Sequence, residues 1–223
     1  MTTLTEHTIA QAAPPAKPAM RGWLHLGMVP LILIAGLVLT AVAPTLEARI
    51  GCAVYTLMAV LLFGTSAVYH RGTWGPRMEA VLRRMDHSNI FLFIAGSYTP
   101  LTLAMLDGRP QATLLILVWS MAVLGVIFRT TWLGAPRWLY TLLYVGMGWA
   151  AVGWLPAFWA SGGPAVVVLI AVGGVVYSLG AVAYALKWPG ANARRFGFHE
   201  VFHACTIVAA LCHLIAIWLA VFS

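Results

Sequence analysis

Three small groups of polar residues interrupt an otherwise apolar chain: Ser66 with His70, Asp86 alone, and His199 with His203. The members of each pair are four residues apart, so on a helix each pair shares one face. Two imidazoles at that spacing can bind one ion, and a third from another helix completes three nitrogen ligands. Three protein ligands with a fourth position open is the catalytic arrangement for Zn²⁺, which brings the pKa of a water molecule down to about 7. Beside such a centre Asp86 acts as base or orienter of the water. Ser66, one turn from His70, donates to the same water or to a substrate carbonyl. Each residue also has a plain structural use. A His at a membrane rim can be an interfacial side chain, Asp86 can cap a helix or pair with Arg83, and Ser66 can be a small packing residue. Depth decides between these readings, and depth depends on the elements that carry the residues.

Those elements follow from composition. Of 223 residues, 61% are hydrophobic and 9% charged, against roughly 45–50% and 25% in an average soluble protein. Nineteen Lys, Arg, Asp and Glu side chains stand where about 55 would be usual, too few to cover a soluble surface. Mean hydropathy is +0.89. The chain reads as an all-α, polytopic membrane protein. Apolar runs of spanning length fall near Leu24–Ala43, Gly51–His70, Ser88–Leu106, Gln111–Phe128, Trp138–Trp154, Pro164–Leu186 and His199–Val221, predicting seven transmembrane helices. Residues 1–22, with Pro14, Pro15 and Pro18, read as a disordered cytosolic tail, and 23–223 as one transmembrane domain. Lys17 and Arg21 before a run ending Ala41-Val42-Ala43 imitate a signal peptide. That run is longer than the usual 7–15 residues, so it is read as a retained span.

Orientation follows from the basic residues. Lys17, Arg21, Arg71, Arg77, Arg83, Arg84, Arg129, Arg137, Lys187, Arg194 and Arg195, eleven of the thirteen, fall in the tail and the loops after spans two, four and six; Arg49 and Arg109 fall opposite. This predicts a cytoplasmic N-terminus and an external C-terminus. The net charge of +7 and pI near 9.8 are then a topology signal, and no nucleic-acid partner is indicated. With this orientation Ser66, His70, Asp86, His199 and His203 arrive from three helices at one depth, on the cytoplasmic side. Met78, Val81, Leu82 and Met85, after Pro76, form a stripe that either lies along the inner leaflet or extends span three.

His199-Glu200-Val201-Phe202-His203 also satisfies HExxH, with Glu200 as general base of a metalloprotease. The acidic ligand such a site wants is missing, since Asp107 lies roughly 30 Å from the level of Asp86 at helical rise. Glu200 reads instead as a rim residue near Arg194 or Arg195. His213 lies roughly 15 Å deeper than His203 and cannot share its metal; it either meets a polar neighbour or lines a substrate path. His7, His25 and His87 receive no role. Cys52, Cys205 and Cys212 form no paired framework, and Pro100 is expected to kink span three.

Ser66-x-x-x-His70 with Tyr69, Asp86-His87-Ser88-Asn89-Ile90 leading to Ala95-Gly96-Ser97-Tyr98-Thr99-Pro100, and His199-x-x-x-His203 with His213 together resemble the hemolysin III proteins. These are the bacterial branch of the progestin and adiponectin receptor (PAQR) family, related more distantly to alkaline ceramidases. The resemblance covers nearly the whole chain. It implies seven helices in the bacterial inner membrane and zinc on His70, His199 and His203, with Asp86 and Ser66 beside it. It further implies hydrolysis of a lipid amide or ester, with membrane lipids as substrate or ligand, and a part in lipid homeostasis. Two alternatives stand beside the hydrolase: a sensor of bilayer state with structural zinc, and a pore-forming cytolysin, for which the spans lack polar stripes.

Overall fold

In lipid a backbone amide has no water partner, so a chain this apolar must close its hydrogen bonds within helices. The computed structural model describes residues 18–190 and 193–223, and among these it contains helices and no strand. The tail assigned to 1–22 lies outside the described residues up to position 17. The elements are α1 (Trp23–Val42), α2 (Leu46–Arg71), α3 (Pro76–Met105), α4 (Gly108–Thr131), α5 (Arg137–Gly148), a 3₁₀ segment (Ala150–Trp154), α6 (Leu155–Leu186) and α7 (Phe198–Val221). Six stretches are long and apolar enough to cross a membrane, α5 to α6 (Arg137–Leu186) counting as one of 50 residues. The chain is an integral membrane protein by this measure. Large apolar side chains face outward, among them Leu31, Ile116, Leu124 and Leu186, as expected where lipid is the solvent.

Sequence chemistry sets the helix ends. The Thr45 side chain accepts from Ala48 N at 3.1 Å at the start of α2, and Glu47 sits in its first turn. His70 and Arg71 occupy its last turn, where positive charge is favoured. Pro76 opens α3, as Pro at a first turn does. The stripe at Met78–Met85 is thus part of α3, which continues through Pro100 to Met105.

Successive helices run antiparallel. Asn89 of α3 donates to Leu61 O and Thr65 Oγ1 of α2, each at 3.0 Å, and Trp119 of α4 donates to Thr99 Oγ1 at 3.1 Å. In the Arg137–Leu186 stretch, Arg137 meets Tyr184 while Trp149 donates to Ser178 Oγ at 3.0 Å, so this stretch folds back on itself. The reversal comes at Gly163, whose φ of 76° is closed to most side chains, directly before Pro164. Tyr98 of α3 stitches the α5–3₁₀ junction, its hydroxyl donating to Gly148 O and accepting from Ala151 N. α3 is the central helix, touching α2, α4, α5, α6 and α7. α7 closes the bundle against α1, α3 and α6, and Tyr55 of α2 donates to Ala210 O at 3.0 Å. This alternation brings the starts of α1, α3, α5 and α7 and the ends of α2, α4 and α6 to one end of the bundle.

The α2–α3 contact gives a test of packing. A Cβ on Gly51 would lie 2.8 Å from Pro100 Cα, a backbone atom that cannot yield, while one on Gly64 of the same helix meets nothing within 4 Å. Gly51→Ala is expected to destabilise by about 1–3 kcal/mol and Gly64→Ala to be neutral or stabilising by up to about 1 kcal/mol. Thermal unfolding of both purified variants checks the difference in sign.

Candidate metal centre

Three helices meet at that end of the bundle with their polar residues turned inward. His70 closes α2, and His199 and His203 lie on the first turns of α7. His70 Nε2 and His199 Nε2 are 3.0 Å apart, and His203 packs on both rings, with centroids 4.5 Å from His199 and 5.3 Å from His70. One nitrogen from each of the three lies within 4.8 Å of the others, a group that could hold a metal ion. The donor set fits a divalent transition metal, since neutral imidazole nitrogens are ligands for zinc and its neighbours. His70 and His203 are buried and His199 partly so, which limits access of bulk water.

Asp86, on α3, reaches the same place. Its Oδ2 lies 3.8 Å from His70 Nε2 and 3.8 Å from His87 Nδ1. The same His87 Nδ1 also lies 2.8 Å from Arg83 O. Ser66, one turn before His70, faces Asp86, yet its buried hydroxyl makes no hydrogen bond of ordinary geometry. The structure therefore brings Ser66, His70, Asp86, His199 and His203 together, as their spacing predicts. It keeps Asp107, at the start of α4, at the opposite end. His213 lies deeper and lines a cavity of about 110 Å³ that opens beneath the imidazoles. The walls of this cavity are mainly apolar, with Phe93, Leu101, Ile170 and Phe202 among them.

Two residues take parts that the sequence does not announce. His25, at the start of α1, is buried and stacks on His203, centroids 3.7 Å apart and rings 14° from parallel. Both its ring nitrogens lack hydrogen-bond partners. Only its place in the first turn of α1, at the depth of the other histidines, hints at this. Glu200 is the second. Its expected place at the rim near Arg194 or Arg195 is corrected: it is 0% exposed and forms an ion pair with Arg21. Its other oxygen accepts from Gly197 N at 2.8 Å, capping α7. Glu200 thus holds the start of α7, and with it His199 and His203.

Residues 15–214 match the family model described as Haemolysin-III related. The chain belongs to this family. Curated relatives include the Bacillus subtilis protein named Hemolysin-3 homolog, 34% identical over 134 residues, covering 60% of this chain and 62% of the relative. The Bacillus cereus protein named Hemolysin-3 is 32% identical over 140 residues, covering 63% of this chain and 64% of the relative. The chain thus spans less than two thirds of the length of either. The family match takes in all five residues of the site.

Replacing Glu200 by Gln keeps an acceptor for Gly197 N but leaves Arg21 without a countercharge. Breaking such a pair costs about 3 kcal/mol where both partners are buried, and somewhat less here because Arg21 is partly exposed. Glu200→Gln is expected to unfold at a clearly lower temperature than wild type. An unchanged melting curve would show the pair to be idle.

Proposed function

We propose that this protein is a zinc-dependent hydrolase of lipid amide or ester bonds, working from the cytoplasmic face of the bacterial inner membrane. The observation that carries this reading is the convergence of three imidazoles, a carboxylate and a buried serine hydroxyl at the head of a mainly apolar cavity. His70, His199 and His203 hold the metal. Zinc there supplies Lewis-acid polarisation of a carbonyl and a water nucleophile at neutral pH. Asp86 takes a proton from the attacking water and returns it to the leaving amine or alcohol. Ser66 donates to the oxygen of the carbonyl under attack. His25 fixes the His203 ring by stacking against it. The apolar cavity receives an acyl chain and keeps bulk water from the reacting carbon. A relation to PAQR receptors and alkaline ceramidases accords with this chemistry, as does a contribution to membrane lipid homeostasis.

Seven crossings suit the reading, because the 12-residue α5 and the 5-residue 3₁₀ segment together span about 28 Å at standard rises. That is close to the thickness of a bilayer core. Ten basic residues among the described ones, Arg21, Arg71, Arg77, Arg83, Arg84, Arg129, Arg137, Lys187, Arg194 and Arg195, belong to the segments at the histidine end, which supports a cytoplasmic position for that end and for the N-terminus.

A second reading, a bilayer-state sensor with structural zinc, draws on the 3.8 Å between Asp86 Oδ2 and His70 Nε2. A small shift would make Asp86 a fourth ligand and close the site. The relatives' printed names suggest haemolysis, but among the described residues the charged side chains that are buried, Asp86, Arg129 and Glu200, all lie at the histidine end of the bundle.

Metal analysis of the purified protein is expected to find about one zinc per chain and little in a His199→Ala/His203→Ala variant; zinc undiminished in that variant would sink the site. Asp86→Ala, retaining zinc, is expected to lose at least a hundredfold in lipid-amide turnover. Equal turnover by the two proteins would favour the sensor. Dye release from liposomes, expected to be absent, checks the cytolysin.

A further inference from the structure

A second cavity, of about 280 Å³, opens at the same end of the bundle and is charged where the first is apolar. Arg21, Arg83, Arg129 and Arg137 line it beside His70 and His199, and Glu79 is the carboxylate in its wall. Arg21 is matched by Glu200. Among the described residues, Arg83, Arg129 and Arg137 form no ion pair.

Arg129 is the telling residue. It is 2% exposed, and its Nε and Nη1 are buried without any hydrogen-bond partner. Tyr140 covers one face of the guanidinium at 4.5 Å, which leaves the in-plane donors unused. A buried guanidinium without an acceptor is costly, and more than nine in ten buried polar groups find a partner. Orientation in the membrane explains a cation in this loop but asks for no burial. The α4 dipole explains a cation in the last turn, yet these nitrogens reach no α4 carbonyl. Arg137 is fixed nearby, its guanidinium over the rings of Tyr184 and Phe198 at 4.9 and 5.2 Å, with Nη1 donating to Tyr184 O at 3.4 Å. Two held guanidiniums that form no ion pair make a receptor for a planar or tetrahedral oxyanion, which arginine grips through paired N–H donors.

We propose that this mouth binds a phosphate group through Arg129 and Arg137, with Arg83 contributing charge at the rim. The phosphate comes either from a phospholipid headgroup at the membrane surface or from solution. The site does not depend on the imidazole trio being catalytic. Placed beside His70 and His199, it is suited to anchoring the polar end of a lipid whose chains occupy the apolar cavity.

The test uses the full chain, in detergent with inorganic phosphate and in nanodiscs of phosphatidylcholine with or without phosphatidylglycerol. Thermal unfolding is the readout, and metal content is measured in the same samples. Wild type is expected to melt several degrees higher with the anionic ligand. Arg129→Gln and Arg137→Gln are expected to need about tenfold more ligand or worse for the same shift. Arg129→Lys, which keeps charge but loses the fork, should fall between. Arg49→Gln, at the opposite end, should respond as wild type. Without ligand, Arg129→Gln should melt no lower than wild type, an outcome that a purely structural arginine would not give. If Arg129→Gln does not fold, Arg129→Lys and Arg137→Gln decide. A response to phosphatidylglycerol alone assigns the site to a headgroup, and a response to phosphate alone to a free anion. No response, or the same response in every variant, overturns the proposal, whatever the metal content of these samples says of the trio.

Discussion

Polar side chains taken out of water must find partners or lose more free energy than a marginally stable fold can spare. The 3.0 Å contact between His70 and His199, 129 residues apart in the chain, is where this protein meets that demand most directly. The last turn of α2 and the first turns of α7 have to stop at the same depth. That condition reaches far into the bundle. It makes α1–α2 a tight hairpin, puts α7 back beside the first three helices, and leaves α3 in the middle to bring Asp86 to the same level.

The environment around the trio is divided. Below it, side chains of α3, α5, α6 and α7 make a mainly apolar hollow, with Ser97, Thr206 and His213 among its polar lining. Above it, the termini of α4 and α5 bring guanidiniums braced on tyrosines and a phenylalanine. The imidazoles stand at the boundary. An amphiphile entering lengthwise would meet a charged grip, then polar chemistry, then a greasy slot. Under the proposed function each zone would select a different part of such a molecule.

Much of this was legible in the sequence because apolar periodicity and i, i+4 spacing are local signals. His70, His199 and His203 announce themselves in that way, and the alternation of basic loops puts Asp86 and Ser66 with them. What stayed hidden depends on tertiary choices. Stacking of His25 on His203 follows from how α1 leans on α7. The partner of Glu200 turned out to be Arg21 instead of Arg194 or Arg195, because the segment entering α1 is hydrogen-bonded alongside Arg194 and Arg195, next to the start of α7. Burial of Arg129 is likewise invisible, since an exposed arginine in the last turn of a helix and a buried one look alike in a string of letters. The fold-back within Arg137–Leu186, by contrast, was marked in the sequence, where the spans part between Trp154 and Pro164, and Gly163 supplies the positive φ there.

The pairing of Arg21 with Glu200 has a consequence for where the working domain begins. Hydropathy would start it at Trp23, but Ala19 and Met20 donate to the carbonyls of Arg194 and Arg195, and Arg21 locks onto α7. The stretch from residue 19 to 22 is a latch across the bundle, joined to the very turn that presents His199 and His203. An affinity tag or a linker grafted directly onto Trp23 would disturb the histidine trio from outside the membrane helices. Fusions to this protein should therefore keep the latch and attach ahead of Pro18.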